Sequence, residues 1–149
     1  MTIQDFMAGD HRFCDSFYAS AQDAVQAQQW DEALAQFGRF TGLVHQHFCA
    51  EEHVLFPAFE EATGMTQGPT QVMRHEHEQL RQLMQAAIDA LRSRDADEFD
   101  GHAETLFLML QQHNAKEEGV LYPMCDQRLG AQHGAVHEQL QARIPPSLE

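Results

Sequence analysis

The pattern H-x3-E-E-x2-L-[FY]-P occurs twice in this chain, from His47 to Pro57 and from His113 to Pro123. Each copy follows another histidine, His11 or His77, by 36 residues. A shift of 66 therefore turns His11, His47 and Glu51 into His77, His113 and Glu117. Such a duplication calls for two equivalent units folded against each other. It also gives both units the same metal-binding side chains.

The apolar spacing around these residues is helical. Phe13, Phe17, Ala21 and Val25 fall four apart and predict a first helix over about 8–28. Leu34, Phe37, Phe40, Val44 and Leu55 continue the pattern in a second helix starting near Asp31. Val72, Leu80, Leu83, Met84, Ala87 and Leu91 mark a third over about 70–91. Asp95-x-x-Glu98 reads as a capping box opening a fourth, which carries Phe99, Leu106, Leu110 and Leu121. Gly64 to Pro69 separates the chain into two helical hairpins, with Pro69 suited to a helix start because its missing N–H costs nothing there.

The expected fold is all-α: an antiparallel up-down-up-down four-helix bundle with a short, peripheral C-terminal helix over about 130–142 and a frayed end at IPPSLE. One domain is expected over 1–149, with its core at about 8–128 and the duplication spanning 11–57 and 77–123. Pro57 and Pro123 are expected to kink or break their helices. His11 and His47 both lie roughly 25 Å from the first hairpin turn at 1.5 Å per residue, and His77 and His113 repeat this in the second hairpin. The four imidazoles should therefore meet in one layer.

Composition narrows the function classes. The chain has 9 Lys and Arg against 23 Asp and Glu, a net charge of -14 that argues against nucleic acid as a partner. Cys14, Cys49 and Cys125 are widely spaced and suggest neither a disulfide framework nor a zinc knuckle. The N-terminus MTIQDFMAGD lacks a signal-peptide pattern, and no apolar run reaches the roughly 18 residues of a membrane span. No membrane association and a cytoplasmic location are expected.

His47 and Glu51 project from one helix face, as do His113 and Glu117. With His11 and His77 opposite them, two histidines can cap each of two metal ions while the glutamates bridge, leaving a position for an exchangeable ligand. Imidazole and carboxylate suit iron or manganese, and a binuclear site in a bundle favours iron. Glu52 and Glu118 point about 100° away from the ligand direction and are expected to support the site or face solvent. His45, His53, His75 and His102 do not repeat; His75 is the reserve ligand, and His133 and His137 are weak candidates. Cys49 is not expected to be a ligand of this centre. Phe48, Phe56, Phe107 and Leu110 are read primarily as bundle core, with packing around the metal layer as the alternative, and Tyr18 and Tyr122 are candidate hydrogen-bond donors near a reduced oxygen ligand.

The segments DHRFCDSF at 10–17, HFCAEEHVLFP at 47–57, MRHEHEQL at 73–80 and HNAKEEGVLYP at 113–123 together resemble a hemerythrin-like, HHE cation-binding domain. The resemblance covers nearly the whole chain. It implies His11, His47, Glu51, His77, His113 and Glu117 as ligands of two non-haem iron ions with an oxo or hydroxo bridge. Oxygen carriers of this family have a further histidine where this chain has Met73. The iron-sulfur-cluster repair members carry an additional cysteine-bearing N-terminal segment, and repair activity is not expected here. Reversible binding or sensing of dioxygen or nitric oxide is the expected role. A small di-iron oxidase or peroxidase handling reactive oxygen or nitrogen species is the enzymatic alternative, and an iron-responsive regulatory or structural module is the third.

Overall fold

A computed structural model describes residues 1–145. The described residues form helices and their connections, without β-strands. Helix α1 runs over Ile3–Gln26 and α2 over Trp30–Ala50, followed by a π-helical turn at Glu51–Leu55 and α3 at Phe56–Thr63. The second half repeats the plan: α4 covers Pro69–Arg92 and α5 Ala96–Lys116, then a π turn at Glu117–Leu121 leads into α6 at Tyr122–Arg128. A short 3₁₀ turn, Gly130–Gln132, leads into α7 at His133–Arg143. Helices α1, α2, α4 and α5 form the antiparallel bundle, with α7 added against the π-turn end of α2. No helix among the described residues is long and apolar enough to cross a membrane.

The hairpin turns obey the same 66-residue shift as the histidines. Gln28 and Arg94 both have positive φ, 57° and 55°. The N–H of Gln29 returns to the carbonyl of Ala24 at 2.9 Å, and the N–H of Asp95 to that of Ala90 at 3.0 Å. These 6→1 bonds close each first helix in a left-handed cap. The following Asp95 caps α5 by accepting from the Glu98 N–H at 3.1 Å.

Helix α1 begins at Ile3, five residues before the position the apolar stripe predicts. Two caps fix the start: Thr2 Oγ1 accepts the Asp5 N–H at 2.9 Å, and the Asp126 carboxylate accepts the backbone N–H groups of Ile3 and Gln4 at 2.9 and 3.2 Å, satisfying donors that a helix start leaves open. Ile3 and Met7 are consequently buried. At the other end Val136, Leu140 and Ile144 join them in the core, so α7 is integral rather than peripheral and the expected fraying does not hold at Ile144. Residues 146–149, the remainder of that predicted tail, lie outside the described residues. In α4 it is Met73 that faces inward, whereas Val72 is 49% exposed.

The apolar core is divided. One cluster fills the hairpin-turn half around Phe37, Phe40, Leu80, Phe99 and Leu106. The other gathers Ile3, Met7, Leu55, Phe56, Phe59, Met73, Tyr122 and Leu140. On every bundle helix a buried histidine marks the passage between them: His11 after Met7 and before Cys14, His47 before Ala50, His77 between Met73 and Leu80, and His113 after Leu110.

Pro57 and Pro123 do not break their helices. Each is the second residue after a π turn, where the backbone changes to i→i−5 bonding: the Phe56 N–H reaches the Glu51 carbonyl, and the Tyr122 N–H that of Glu117. The prolines leave the next carbonyls, those of Glu52 and Glu118, without a helical donor. Arg74 Nη1 donates to the Glu52 carbonyl at 3.3 Å, and Gln4 Nε2 to the Glu118 carbonyl at 2.7 Å. Side chains from neighbouring helices thus stabilise both turns.

Candidate metal centre

Each π turn starts at a repeated glutamate, and such turns within α-helices are frequent at functional sites. Glu51 and Glu117 are both fully buried, and His11, His47, His77 and His113 are buried beside them. The two glutamates link the histidines crosswise. Glu51 Oε2 lies 3.6 Å from His47 Nε2 while its Oε1 lies 3.2 Å from His77 Nε2. Glu117 Oε1 lies 3.3 Å from His11 Nε2 and 3.4 Å from His113 Nε2. The Nε2 atoms of His11 and His47 are 3.0 Å apart, and the rings of His77 and His113 have centroids 4.9 Å apart. Two groups of donor atoms compact enough for an ion result: Glu51, His77, His113 and Glu117, and His11, His47 and Glu117.

The opposite nitrogen of every histidine meets a carboxylate. His11 Nδ1 is 2.7 Å from Glu118, His47 Nδ1 2.7 Å from Asp10, His77 Nδ1 2.7 Å from Glu52 and His113 Nδ1 2.8 Å from Glu76. An acceptor-only carboxylate at that distance puts the proton on Nδ1 and turns the Nε2 lone pair toward the centre. These four carboxylates also obey the shift: Asp10 maps to Glu76 and Glu52 to Glu118. Glu52 and Glu118 support the site as expected from their direction. Asp10 and Glu76 were not among the predicted site residues, although the repeat of an acidic residue directly before His11 and His77 is a readable signal.

Electrostatics follow from this packing. Burial disfavours a charged His47, but Glu51 and Asp10 outweigh it and hold the imidazole well above its usual range. Burial likewise pushes Glu51 up, and His47, with further hydrogen bonds to the carboxylate, brings it well below the ordinary carboxylate range. His113 rises to about 9 because Glu117 overcomes desolvation. Glu52 falls to about 2 despite burial, under the pull of His77 and Arg81. Arg81 grips both Glu52 oxygens at 3.0 Å.

Tyr122 occupies a larger place than a donor near the layer. Its Oη lies 2.7 Å from Glu51 Oε2, 3.0 Å from Glu117 Oε1, 3.1 Å from His47 Nε2 and 3.2 Å from His11 Nε2. Burial and the two carboxylates push its phenol well up, keeping the hydroxyl proton in place. Tyr18 is elsewhere: its hydroxyl donates to the Ala103 carbonyl at 3.0 Å, and its ring stacks on Phe107. Phe107 therefore belongs to the turn-side core, while Phe48 stacks on His77 at 3.8 Å and Phe56 packs against it at 5.6 Å. His75 is exposed, so the reserve ligand is not in the cluster. His102 is close to Glu98, and His133 to Asp126, both away from the centre.

The cluster has the deficit a cation would fill. Glu51 Oε1, Glu117 Oε2, His77 Nε2 and His113 Nε2 are buried without a hydrogen-bond partner among the described residues. Tyr122 has one proton to donate, yet two carboxylate oxygens and two imidazole nitrogens surround its oxygen. Unpaired lone pairs in a closed interior are costly, and a bound cation satisfies several at once. The donor set of imidazole nitrogen and carboxylate oxygen fits a borderline transition metal.

No curated protein and no solved structure matches the chain. The family model for the hemerythrin HHE cation-binding domain matches residues 2–125, a span containing every histidine and carboxylate of the cluster. With the helical bundle and its buried His/Glu layer, that match defines a cation-binding protein: the chain belongs to the hemerythrin HHE cation-binding domain family.

Proposed function

We propose that His11, His47, Glu51, His77, His113 and Glu117 hold two non-haem iron ions and that the protein binds or senses dioxygen or nitric oxide there. The observation that carries this reading is the crosswise reach of the glutamates, each of which approaches one histidine of either pair. A carboxylate so placed would be available to two ions rather than one. When bound, a ferrous pair would supply the electrons for holding a diatomic ligand.

The protein's own residues supply the rest. Asp10, Glu118, Glu52 and Glu76 hold the four Nδ1 protons and so orient the Nε2 atoms. Phe48 and Phe56 cover His77 and exclude water from that side. A cavity of about 10 Å³ borders His11 and His47, lined also by Cys14, Asp15, Val44, Phe48, Leu110 and Asn114. It is sized for one water-like molecule and not for an organic substrate. Tyr122 Oη holds a proton that can be donated to a small ligand bound near His11 and His47.

The test is anaerobic iron analysis coupled to rapid-mixing optical spectroscopy with dioxygen and with nitric oxide. Two irons per chain and a spectral change that reverses when the gas is removed are expected. Continuous consumption of peroxide or nitric oxide would replace this reading with the oxidase or peroxidase. Iron that changes only stability or partner affinity would leave a regulatory or structural module.

A further inference from the structure

Tyr122 Oη stands among the metal-binding atoms rather than behind them. It lies 3.2 Å from His11 Nε2, 3.1 Å from His47 Nε2, 2.7 Å from Glu51 Oε2 and 3.0 Å from Glu117 Oε1. Those four atoms are themselves neighbours. The two Nε2 atoms are 3.0 Å apart, His11 Nε2 and Glu117 Oε1 3.3 Å, and His47 Nε2 and Glu51 Oε2 3.6 Å. Nitrogen and oxygen ligands bound at about 2.0–2.2 Å to one first-row ion, at right angles to each other, stand roughly 2.8–3.1 Å apart. The phenol oxygen therefore has the spacing of a fifth ligand in contact with four others.

Hydrogen bonding alone does not account for this crowding. The Nδ1 atoms of His11 and His47 face Glu118 and Asp10, so both Nε2 lone pairs turn toward the phenol. Tyr122 has one proton, and the 2.7 Å contact directs it to Glu51. The remaining contacts set lone pair against lone pair, and a cation among the five atoms turns that repulsion into coordination. The opposite half has no such oxygen: the 66-residue shift maps Tyr122 to Phe56, whose ring packs on His77.

We propose that Tyr122 is a ligand of the ion held by His11 and His47, its phenolate oxygen binding iron in the iron(III) state. The assignment rests on the two-iron reading above and makes the two ions inequivalent, because the one beside His77 and His113 has no phenol. In the iron(II) protein the hydroxyl keeps its proton. When iron(II) passes an electron to an oxidant, dioxygen in that reading, the higher charge on the ion draws in the phenol oxygen. The O–H bond breaks, its proton leaves to the small ligand or to solvent, and the freed lone pair forms the bond to iron(III).

The test loads the full chain anaerobically with iron(II), counts the metal, oxidises it with ferricyanide and removes the excess oxidant. A visible phenolate-to-iron(III) charge-transfer band should appear only after oxidation, and resonance Raman excitation in that band should enhance tyrosinate ring vibrations. Tyr122→Phe should lose both signals while keeping its iron. The chain has two tyrosines, and the Tyr18 hydroxyl is bonded to the Ala103 carbonyl. Tyr18→Phe should therefore keep both signals, which assigns them to Tyr122 even if Tyr122→Phe fails to fold. Two irons per chain without the band, its survival in Tyr122→Phe or its loss in Tyr18→Phe would overturn the ligand and leave the two-iron reading standing. The band at one iron per chain would support the ligand and refute the second ion. Absence of bound iron would overturn both.

Discussion

Tyr122 Oη and Glu51 Oε2 are 2.7 Å apart, joining the two halves of the duplication at the middle of the buried cluster. The 66-residue equivalent of Tyr122 is Phe56, so the halves differ by one hydroxyl at this point. Tyr122→Phe keeps the shape and removes the donor. Metal-free Tyr122→Phe should lose about 1–3 kcal/mol in urea unfolding, because a buried carboxylate oxygen loses its partner. The iron-loaded variant should still bind two ions but release a diatomic ligand roughly tenfold faster, the equivalent of a bond worth about 1.4 kcal/mol. Unchanged release would remove Tyr122 from ligand binding.

Glu51→Ala and Glu117→Ala should each lower bound metal below two ions per chain, since either glutamate reaches both histidine pairs. His75→Ala should leave the content intact, its side chain being exposed. Metal analysis after gel filtration decides this. Two retained ions in both glutamate variants would refute the shared-ligand geometry.

Asp10→Asn, Glu52→Gln, Glu76→Gln and Glu118→Gln each remove the charge facing a histidine Nδ1. Metal affinity should fall roughly 10- to 100-fold, with full stoichiometry recovered at excess metal. Chelator competition measures the shift. Equal affinities across the four variants and the parent would show that the imidazoles are oriented by packing alone.

The metal-free chain should show two opposed pH responses. His113 is raised from 6.5 to about 9, so its contribution to stability is complete below about 6.5 and fades as pH rises through about 9. Glu52 is lowered from 4.5 to about 2, so its contribution is complete above about 4.5 and fades as pH falls through about 2. Urea midpoints across pH should therefore be highest between these windows. Metal uptake runs against the histidine response, because Nε2 must be free of its proton, and affinity should increase from pH 6.5 to 9 with measurable proton release.

Gln28 and Arg94 hold positive φ without being glycine. Gln28→Gly and Arg94→Gly should each stabilise the protein by about 1 kcal/mol, the left-handed strain relieved exceeding the added freedom of the unfolded chain. Thermal unfolding of the single and double variants checks this, and the effects should add because the turns belong to separate hairpins.

Much of the architecture was decided by local chemistry. Periodic apolar residues, the Asp95 cap and the break at Gly64–Pro69 specify four amphipathic helices in two hairpins, and helical rise brings His11, His47, His77 and His113 to one height. The 66-residue shift extends to the carboxylates behind the imidazoles, although Asp10 and Glu76 become meaningful only when Nδ1 direction is known. Other features depend on partners distant in the chain. Asp126 reinforces the local Thr2 cap of α1, Arg74 and Gln4 satisfy the carbonyls freed by Pro57 and Pro123, and burial against Ile3 and Met7 makes α7 part of the core. Local sequence spacing reports which residues share a helix face. Which orphaned polar group meets which distant side chain is decided by tertiary packing, and this is why Tyr122 reaches the centre while Tyr18 bonds to Ala103.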